Sequence, residues 1–436
     1  MSIQSRFLIG AANSGSGKTT LTIGLLKALA NRGLNIQPFK CGPDYIDTKF
    51  HEAAASNPSV NLDLFLSSTE HVRYLYNKYA SGKDICITEG VMGLYDGYDK
   101  MKGSSAEIAE LLNMPVVLVV NAKSMAYSAA ALIYGFKEFY SRINVVGVIF
   151  NFVGSESHYS FLKDACIDAG VEPLGYLPKY SDIETPSRHL GLSLDGQRHF
   201  DNLSNKIAEL VEKTVNIDRL LEITSQEIIS SSYQQPERVT QSLNITVAQD
   251  AAFNFMYHEC LEYLKRIGKV TFFSPLKDTI FPTTDLLYLP GGYPELYLDE
   301  LSNNKPIQDN IRMYIENGGK TLAECGGMMY LSDSITDAEG KIYPMVGILR
   351  QKATMQNMKL KLGYRQFQYS NVDIKGHEFH YSSIENDDKN LLIDNMEIRN
   401  AKGQPAGTKL FRYKNMIAGY THIYWAEMDD LLDLFK

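Results

Sequence analysis

RFLIGAANSGSGKTTLTIGLLKALANRG, residues 6–33, runs from an apolar stretch through a Gly/Ser-rich turn into an amphipathic stretch of helical length that ends at Gly33. Ala12 to Thr19 has the spacing of a phosphate-binding loop, with alanine in the slot of the first glycine. The glycines Gly15 and Gly17 let backbone N–H groups fold around phosphate oxygens. Lys18 adds a positive charge, the Thr19 hydroxyl can take Mg²⁺, and the helix that follows aims its N-terminus at the anion. Gly15, Gly17, Lys18, Thr19 and Thr20 are therefore the nucleotide-binding candidates. A strand–loop–helix of this kind predicts a parallel α/β sheet.

The text downstream repeats the pattern. LNIQPFK, KDICITEG, MPVVLVVNA and INVVGVIFN are short β-branched runs separated by helix-length segments, as in βαβ units. Around residues 224–243 the composition turns polar (SQEIISSSYQQPERVTQSLN), which predicts a linker between domains 1–223 and 244–436. A second α/β series then begins with LNITVAQ as a strand, FMYHECLEYLKRIG as a helix, and KVTFFSP and DLLYLPGG as strands. A helix to Gly318 and the strand KTLAEC follow. Ligand sites in open α/β sheets lie at the carboxyl ends of strands, and the motifs below all stand there.

Two acid-and-glycine loops accompany the phosphate loop. Lys40, Asp44, Tyr45 and Asp47 lie in KCGPDYID after one strand; Glu89 and Asp96 lie in EGVMGLYDG after another. Glu89, ending a buried strand, stands where an acid would support Mg²⁺ beside Thr19, with Asp44 as a second metal candidate. In the second half, KTLAE leads into Cys325-Gly326-Gly327 and helical text, a strand–nucleophile–helix elbow. A sulfur at a helix N-terminus is expected to favour the thiolate. The turn Leu289-Pro290-Gly291-Gly292 ends a preceding strand and offers Gly292 N–H as an oxyanion donor. The general base must come from elsewhere in the chain. His377 and His380 in GHEFHYS point to opposite faces of an extended strand, and their spacing does not suit a metal site. His422, read as the end of the apolar strand MIAGYTH, is the best-placed base.

Bulk properties bound the partners. At 436 residues the chain exceeds a single core. A net charge of −8 without a Lys/Arg block argues against nucleic acid. No apolar run reaches the length of a membrane span, and the N-terminus is too short in apolar residues for a signal peptide. Five scattered cysteines, with no CxxC pair, fit free thiols in a reducing cytoplasm.

Together these residues resemble the cobyrinic acid a,c-diamide synthase family. The resemblance spans nearly the whole chain and rests on FKCGPDYID (39–47), EGVMGLYDG (89–97), LPGGYPE (289–295), ECGGMMYL (324–331), GHEFHYS (376–382) and GYTHIYW (419–425). It implies a dethiobiotin-synthetase-like P-loop domain followed by a flavodoxin-like class I glutamine amidotransferase domain. Family members release ammonia from L-glutamine and use ATP and Mg²⁺ to amidate two carboxylates of a corrinoid. Carried over by residue, Cys325 matches the nucleophile, His422 the base and Gly292 the oxyanion turn. Gly17, Lys18 and Thr19 match the phosphate and metal positions, with Gly15 and Thr20 as further nucleotide-binding candidates. Lys40, Asp44, Asp47, Glu89 and Asp96 match loops the family uses around the metal and the corrinoid carboxylates; Lys40, Asp44, Tyr45, Asp47 and Asp96 are the expected substrate-binding residues, and Thr19, Glu89 and Asp44 the expected metal ligands. Two departures stand out. Asn13 occupies the slot of the signature lysine of the related dimeric ATPases. The His-x-Glu of many amidotransferases is His422-Ile423-Tyr424 here, which implies a Cys–His dyad oriented by another group. Sister ligases acting on hydrogenobyrinic acid or nickel-sirohydrochlorin share these motifs, a non-catalytic P-loop switch is the rival of another class, and a homodimer stays open.

Overall fold

The computed structural model describes residues 3–179, 194–227, 242–386, 389–393 and 396–436. The chain divides into two compact units, Met1–Gln235 and Pro236–Lys436.

The first unit is built on an eight-stranded sheet. Its strands are β1 (Ile3–Ala11), β2 (Ile36–Cys41), β3 (Val60–Leu62), β4 (Ile85–Glu89), β5 (Val116–Asn121), β6 (Val145–Val153), β7 (Glu172–Pro178) and β8 (Ser225–Glu227). The order is β3-β2-β4-β1-β5-β6-β7, all parallel, with β8 antiparallel on β1. Side chains alternate across a strand, and here both faces are apolar. Leu8, Leu118 and Phe150 pack into one core, while Phe7, Ile9, Val119 and Ile149 pack into another. Helix α1 (Lys18–Asn31) covers the second face, with Leu21, Leu25 and Leu29 buried. α1 packs against the helix Leu194–Thr214, and a Cβ at Gly24 would stand 2.6 Å from Ile207 Cγ2.

β8 corrects the expected linker. Ser225–Glu227 belongs to the sheet, held in part by Arg6 Nε donating to Gln226 Oε1 at 2.7 Å. It pairs antiparallel with the first residues of β1, a strand far away in the sequence, so its polar text reads locally as a loop. At the other end, Leu243 already belongs to the next unit's sheet. Residues 228–241 of that stretch lie outside the described residues.

In the second unit, β9 (Leu243–Ala248), β10 (Gly268–Phe273), β11 (Leu286–Leu289) and β12 (Lys320–Glu324) are parallel strands of the main sheet. Next in the chain come β13 (Ser332–Thr336), β14 (Ile342–Pro344), β15 (Leu349–Thr354), β16 (Lys361–Tyr369), β17 (Val372–His380) and β18 (Ser383–Glu385). β19 (Leu410–Tyr413), β20 (Met416–Gly419) and β21 (His422–Ile423) close the series. The main sheet runs β10-β9-β11-β12-β20-β19, and smaller sheets β14-β13-β15-β18 and β16-β17-β21 flank it. MIAGYTH is thus two strands. β20 pairs with β12, and the chain leaves the sheet at Tyr420 so that His422 pairs across from His377 on β17.

Candidate active sites

The phosphate loop follows β1, and Gly17 caps α1 with φ 91° and ψ 24°, a conformation that disfavours any side chain. A Cβ there would also stand 1.8 Å from Asn151 Nδ2, which donates to Ser16 O at 3.0 Å. Asn151, near the end of β6, therefore braces the loop from below; nothing in the local sequence marks it. Lys18 Nζ donates to Met92 O at 2.6 Å, tying the phosphate loop to the loop 89–97. Burial, followed by the nearby Lys40 charge, draws the Lys18 ammonium below its ordinary value. Thr20, in the first turn of α1, is half-buried.

Thr19 gathers the acids. Its hydroxyl donates to Glu89 Oε1 at 2.7 Å and lies 3.3 Å from Asp47 Oδ2. Lys40 Nζ sits between the same two carboxylates, 3.2 Å from Asp47 Oδ2 and 3.3 Å from Glu89 Oε1. His51, on α2 (Asp47–Ala55), holds the other Glu89 oxygen at 2.7 Å through Nε2. Burial disfavours a charged Glu89, yet Lys40 and His51 outweigh it and hold the carboxyl well below the carboxylate range. Asp47 responds in the opposite direction: burial and the Asp44 charge push it up to about 6. Asp44 Oδ1 accepts the N–H groups of Ile46 and Asp47, both at 2.8 Å, closing the turn that starts α2. Asp96 Oδ2 accepts Gly93 N–H at 3.0 Å and so shapes its own loop. Tyr45 is buried, its carbonyl accepting from Thr48 Oγ1 at 3.1 Å. The structure thus draws Thr19, Lys40, Asp47 and Glu89 together, while Asp44, Tyr45 and Asp96 support the loops. His51 is the member that sequence reasoning missed.

For Mg²⁺ the test is the donor set. A small hard cation prefers oxygen ligands and commonly takes one or two carboxylates, with substrate phosphates and water completing the shell. Thr19 Oγ1 and Glu89 Oε1, with Asp47 alongside, supply oxygens at the mouth of the phosphate loop. These residues fit the ion.

In the second unit, Cys325 stands between β12 and the short helix Gly326–Leu331 with φ 48° and ψ −105°. A non-glycine residue in that region stores of order 1–3 kcal/mol of strain, a feature concentrated at functional sites. Its N–H donates to Gly419 O at 2.7 Å, fixing the elbow against β20. The sulfur is buried and lies 4.0 Å from Phe379 O on β17. The expected thiolate is corrected here. Burial, reinforced by the Glu295 charge, pushes the thiol far above its ordinary range and overrides the Gly326 N–H that opposes it. That direction favours the neutral Cys325 thiol.

His422 reaches the same turn. A Cβ at Gly291 would stand 2.2 Å from His422 Cε1, and one at Gly326 would stand 3.1 Å from Gly292 N. The Gly291–Gly292 turn is therefore flanked by His422 on one side and by Gly326, the residue after Cys325, on the other. Burial, then the neighbouring His377 and His380, push His422 down to about 3. His380 stacks on Tyr420, with 3.5 Å between ring centroids, and its Nδ1 is 2.9 Å from Ser382 O. His377 packs edge-on against Tyr364.

Comparison with known proteins agrees with both halves. The profile of a CobQ/CobB/MinD/ParA nucleotide binding domain matches residues 7–192, and that of a CobB/CobQ-like glutamine amidotransferase domain matches residues 244–429. A cobyrinate a,c-diamide synthase of Caldanaerobacter subterraneus subsp. tengcongensis is 41% identical, with 96% of this chain and 94% of the relative aligned. The chain belongs to the cobyrinate a,c-diamide synthase family. Two further members make the same end-to-end match. The Streptococcus sanguinis synthase is 38% identical over 98% of this chain and 97% of its own. The Picrophilus torridus synthase is 39% identical over 96% and 95%. The family's two-domain α/β organisation, a P-loop parallel sheet and an amidotransferase fold, is the one described above. No described helix is long and apolar enough to cross a membrane.

Proposed function

We propose that this protein amidates the a and c acetate carboxylates of cobyrinic acid in corrinoid (cobalamin) biosynthesis, using ATP and the amide nitrogen of L-glutamine. The observation that carries the reading is the end-to-end match to relatives named cobyrinate a,c-diamide synthase, with both constellations intact on one chain.

The chemistry requires two sites. A carboxylate is a poor acyl donor, because its leaving group would be oxide or hydroxide. Phosphorylation by ATP turns it into an acyl phosphate. Ammonia is mostly protonated at neutral pH, so NH₃ must be generated for immediate use. In the second unit Cys325 Sγ attacks the glutamine carboxamide as His422 takes the thiol proton. His422 then passes that proton to the departing ammonia, and water cleaves the thioester. The proton moves to His422 as the carbon–sulfur bond forms, and a base works best when its pKa lies near the operating pH. Gly292 N–H is the donor for the tetrahedral oxygen.

In the first unit the Gly15–Thr20 backbone holds the ATP phosphates, and Lys18 leaves Met92 O to neutralise their charge. Thr19 and Glu89, with Asp47 or Asp44 alongside, would hold Mg²⁺, which would offset phosphate charge. Lys40, Asp44, Tyr45, Asp47 and Asp96 bind the polyacid at the loop mouths, with Lys40 pairing to carboxylate or transferring phosphoryl group. The same reading places the enzyme in the cytoplasm and allows a homodimer, which sedimentation would register. Purified protein given cobyrinic acid, ATP, Mg²⁺ and glutamine should yield two successive carboxyl-to-carboxamide mass changes. The same test with hydrogenobyrinic acid and nickel-sirohydrochlorin discriminates the macrocycle. Absence of product with every tetrapyrrole would refute the reading.

A further inference from the structure

The base His422 lacks the glutamate two residues downstream that orients the histidine in His-x-Glu enzymes, since Tyr424 stands there. A different carboxylate occupies the space beside it. Glu324, the last residue of β12 and the residue directly before the nucleophile, is buried. Its Oε2 lies 3.9 Å from His422 Nδ1. The carboxylate is fixed from two other directions: Tyr288 OH on β11 donates to Oε2 at 2.7 Å, and Ile423 N donates to Oε1 at 2.9 Å. The second of these bonds matters most for geometry. It clamps the residue following the base to the residue preceding the nucleophile, so one side chain sets the distance between the two reacting groups.

We infer that Glu324 is the positioning residue of the glutamine site, holding His422 in the tautomer and orientation that accept the Cys325 proton; this rests on the glutaminase reading of Cys325 and His422. A carboxyl oxygen facing His422 Nδ1 favours the proton there, which leaves Nε2 as the basic nitrogen, and on ionisation the group stabilises the imidazolium formed on attack. This is the role of the third member of a catalytic triad. The 3.9 Å separation is longer than a hydrogen bond, and catalytic contacts in resting sites commonly tighten in the substrate complex. Burial pushes the Glu324 carboxyl up to about 8. An imidazolium arising beside it favours the ionised form, so the pair is strongest when the mechanism needs it. The Phe255 main chain also hydrogen-bonds His422, and His377 and His380 stand near it; none of these three is anionic, so Glu324 is the group among them that can offset an imidazolium charge.

The test compares Glu324→Gln and Glu324→Asp with the parent enzyme. Glutaminase turnover, KM for glutamine and ammonia-driven amidation are all measured. Glutamine is near-isosteric and retains an acceptor for Ile423 N, but it lacks the charge. The expected result is a fall of at least tenfold in kcat for Glu324→Gln, with KM within twofold and ammonia-driven amidation unchanged. Glu324→Asp, which keeps the charge one methylene short, should fall between the two. In a His422→Ala background Glu324→Gln should cost nothing more, because residues acting as one unit are non-additive. Parent-like kcat in Glu324→Gln overturns the inference, and so does an equal further loss in the His422→Ala background. Should Glu324→Gln fail to fold, Glu324→Asp decides alone: unchanged kcat overturns the assignment, and a loss in kcat at constant KM supports it. Cys325→Ala, run in parallel, separates the premises, since glutaminase surviving that change would sink the underlying reading and not the placement of Glu324.

Discussion

Gly291→Ala isolates the geometry of the base from its chemistry. The added methyl would stand 2.2 Å from His422 Cε1 and 3.0 Å from Nε2. Carbon atoms rest at about 3.5 Å or more, so the imidazole must retreat by about 1.3 Å or the turn must open by as much. A 1 Å misplacement of a reacting group costs on the order of 100-fold, or about 2.7 kcal/mol of transition-state stabilisation. Overpacking adds a stability cost of about 1–3 kcal/mol. The assay is glutaminase kcat beside ammonia-driven amidation, with a melting curve to confirm folding. The expected outcome is a folded protein that loses about two decades of glutaminase kcat and retains ammonia-driven synthesis. Glutaminase within threefold of the parent would refute the claim that His422 is the base. An equal loss with ammonia would show that the change is not confined to the glutamine site.

Cys325→Ala should abolish glutamine-dependent amidation and spare synthesis from added ammonia; equal losses with both donors would contradict the division of labour. Lys18→Ala should remove synthesis from either nitrogen source, and an ammonia-driven product would contradict the role given to the phosphate loop. Lys40→Met leaves the buried Glu89 and the half-buried Asp47 without their shared cation, so chemical denaturation should report a loss of about 3 kcal/mol; an unchanged midpoint would oppose the ion-pair account. His422 is pushed down from 6.5 to about 3 in the folded chain. Between those values the unfolded state binds the extra proton, so stability is lost as pH falls through that window, by at most about 1.4 kcal/mol per pH unit. His422→Gln should flatten this acid limb in pH-resolved melting curves, and an unaltered slope would count against the buried neutral imidazole.

Legibility in the sequence followed contiguity. The phosphate loop is one unbroken stretch whose function is set by backbone conformation, so Gly17 and Lys18 declare themselves. Glu89 and Lys40 end strands, and strand ends in a parallel sheet converge by topology. His51 lies on a helix, in FHEAAA, where local text reads as an ordinary amphipathic turn; only the packing of α2 near β4 delivers it to Glu89. Asn151 was visible as the end of a strand but not as a brace, because the need for it arises from the bare Gly17 opposite. Glu324 was quoted within a motif and still unassigned, since its partners Tyr288 and His422 come from other strands. The break at Tyr420 was hidden because apolar text continues through it, and what bends the chain is the pairing of His422 with β17. The small sheets escaped only in part for that reason: β13–β14 and β16–β17 are local hairpins, whereas β13–β15, β15–β18 and β17–β21 pair across longer stretches of chain.

A sulfur held neutral under the Phe379 carbonyl has a consequence for chemical wear. Peroxides and electrophilic metabolites attack thiolates far faster than thiols, and reach exposed groups faster than covered ones. A Cys325 thiol whose ionisation burial opposes, and which lies against Phe379 O of β17, is therefore expected to react slowly with peroxide. The sulfur becomes vulnerable chiefly during the brief interval when glutamine is already there to consume it.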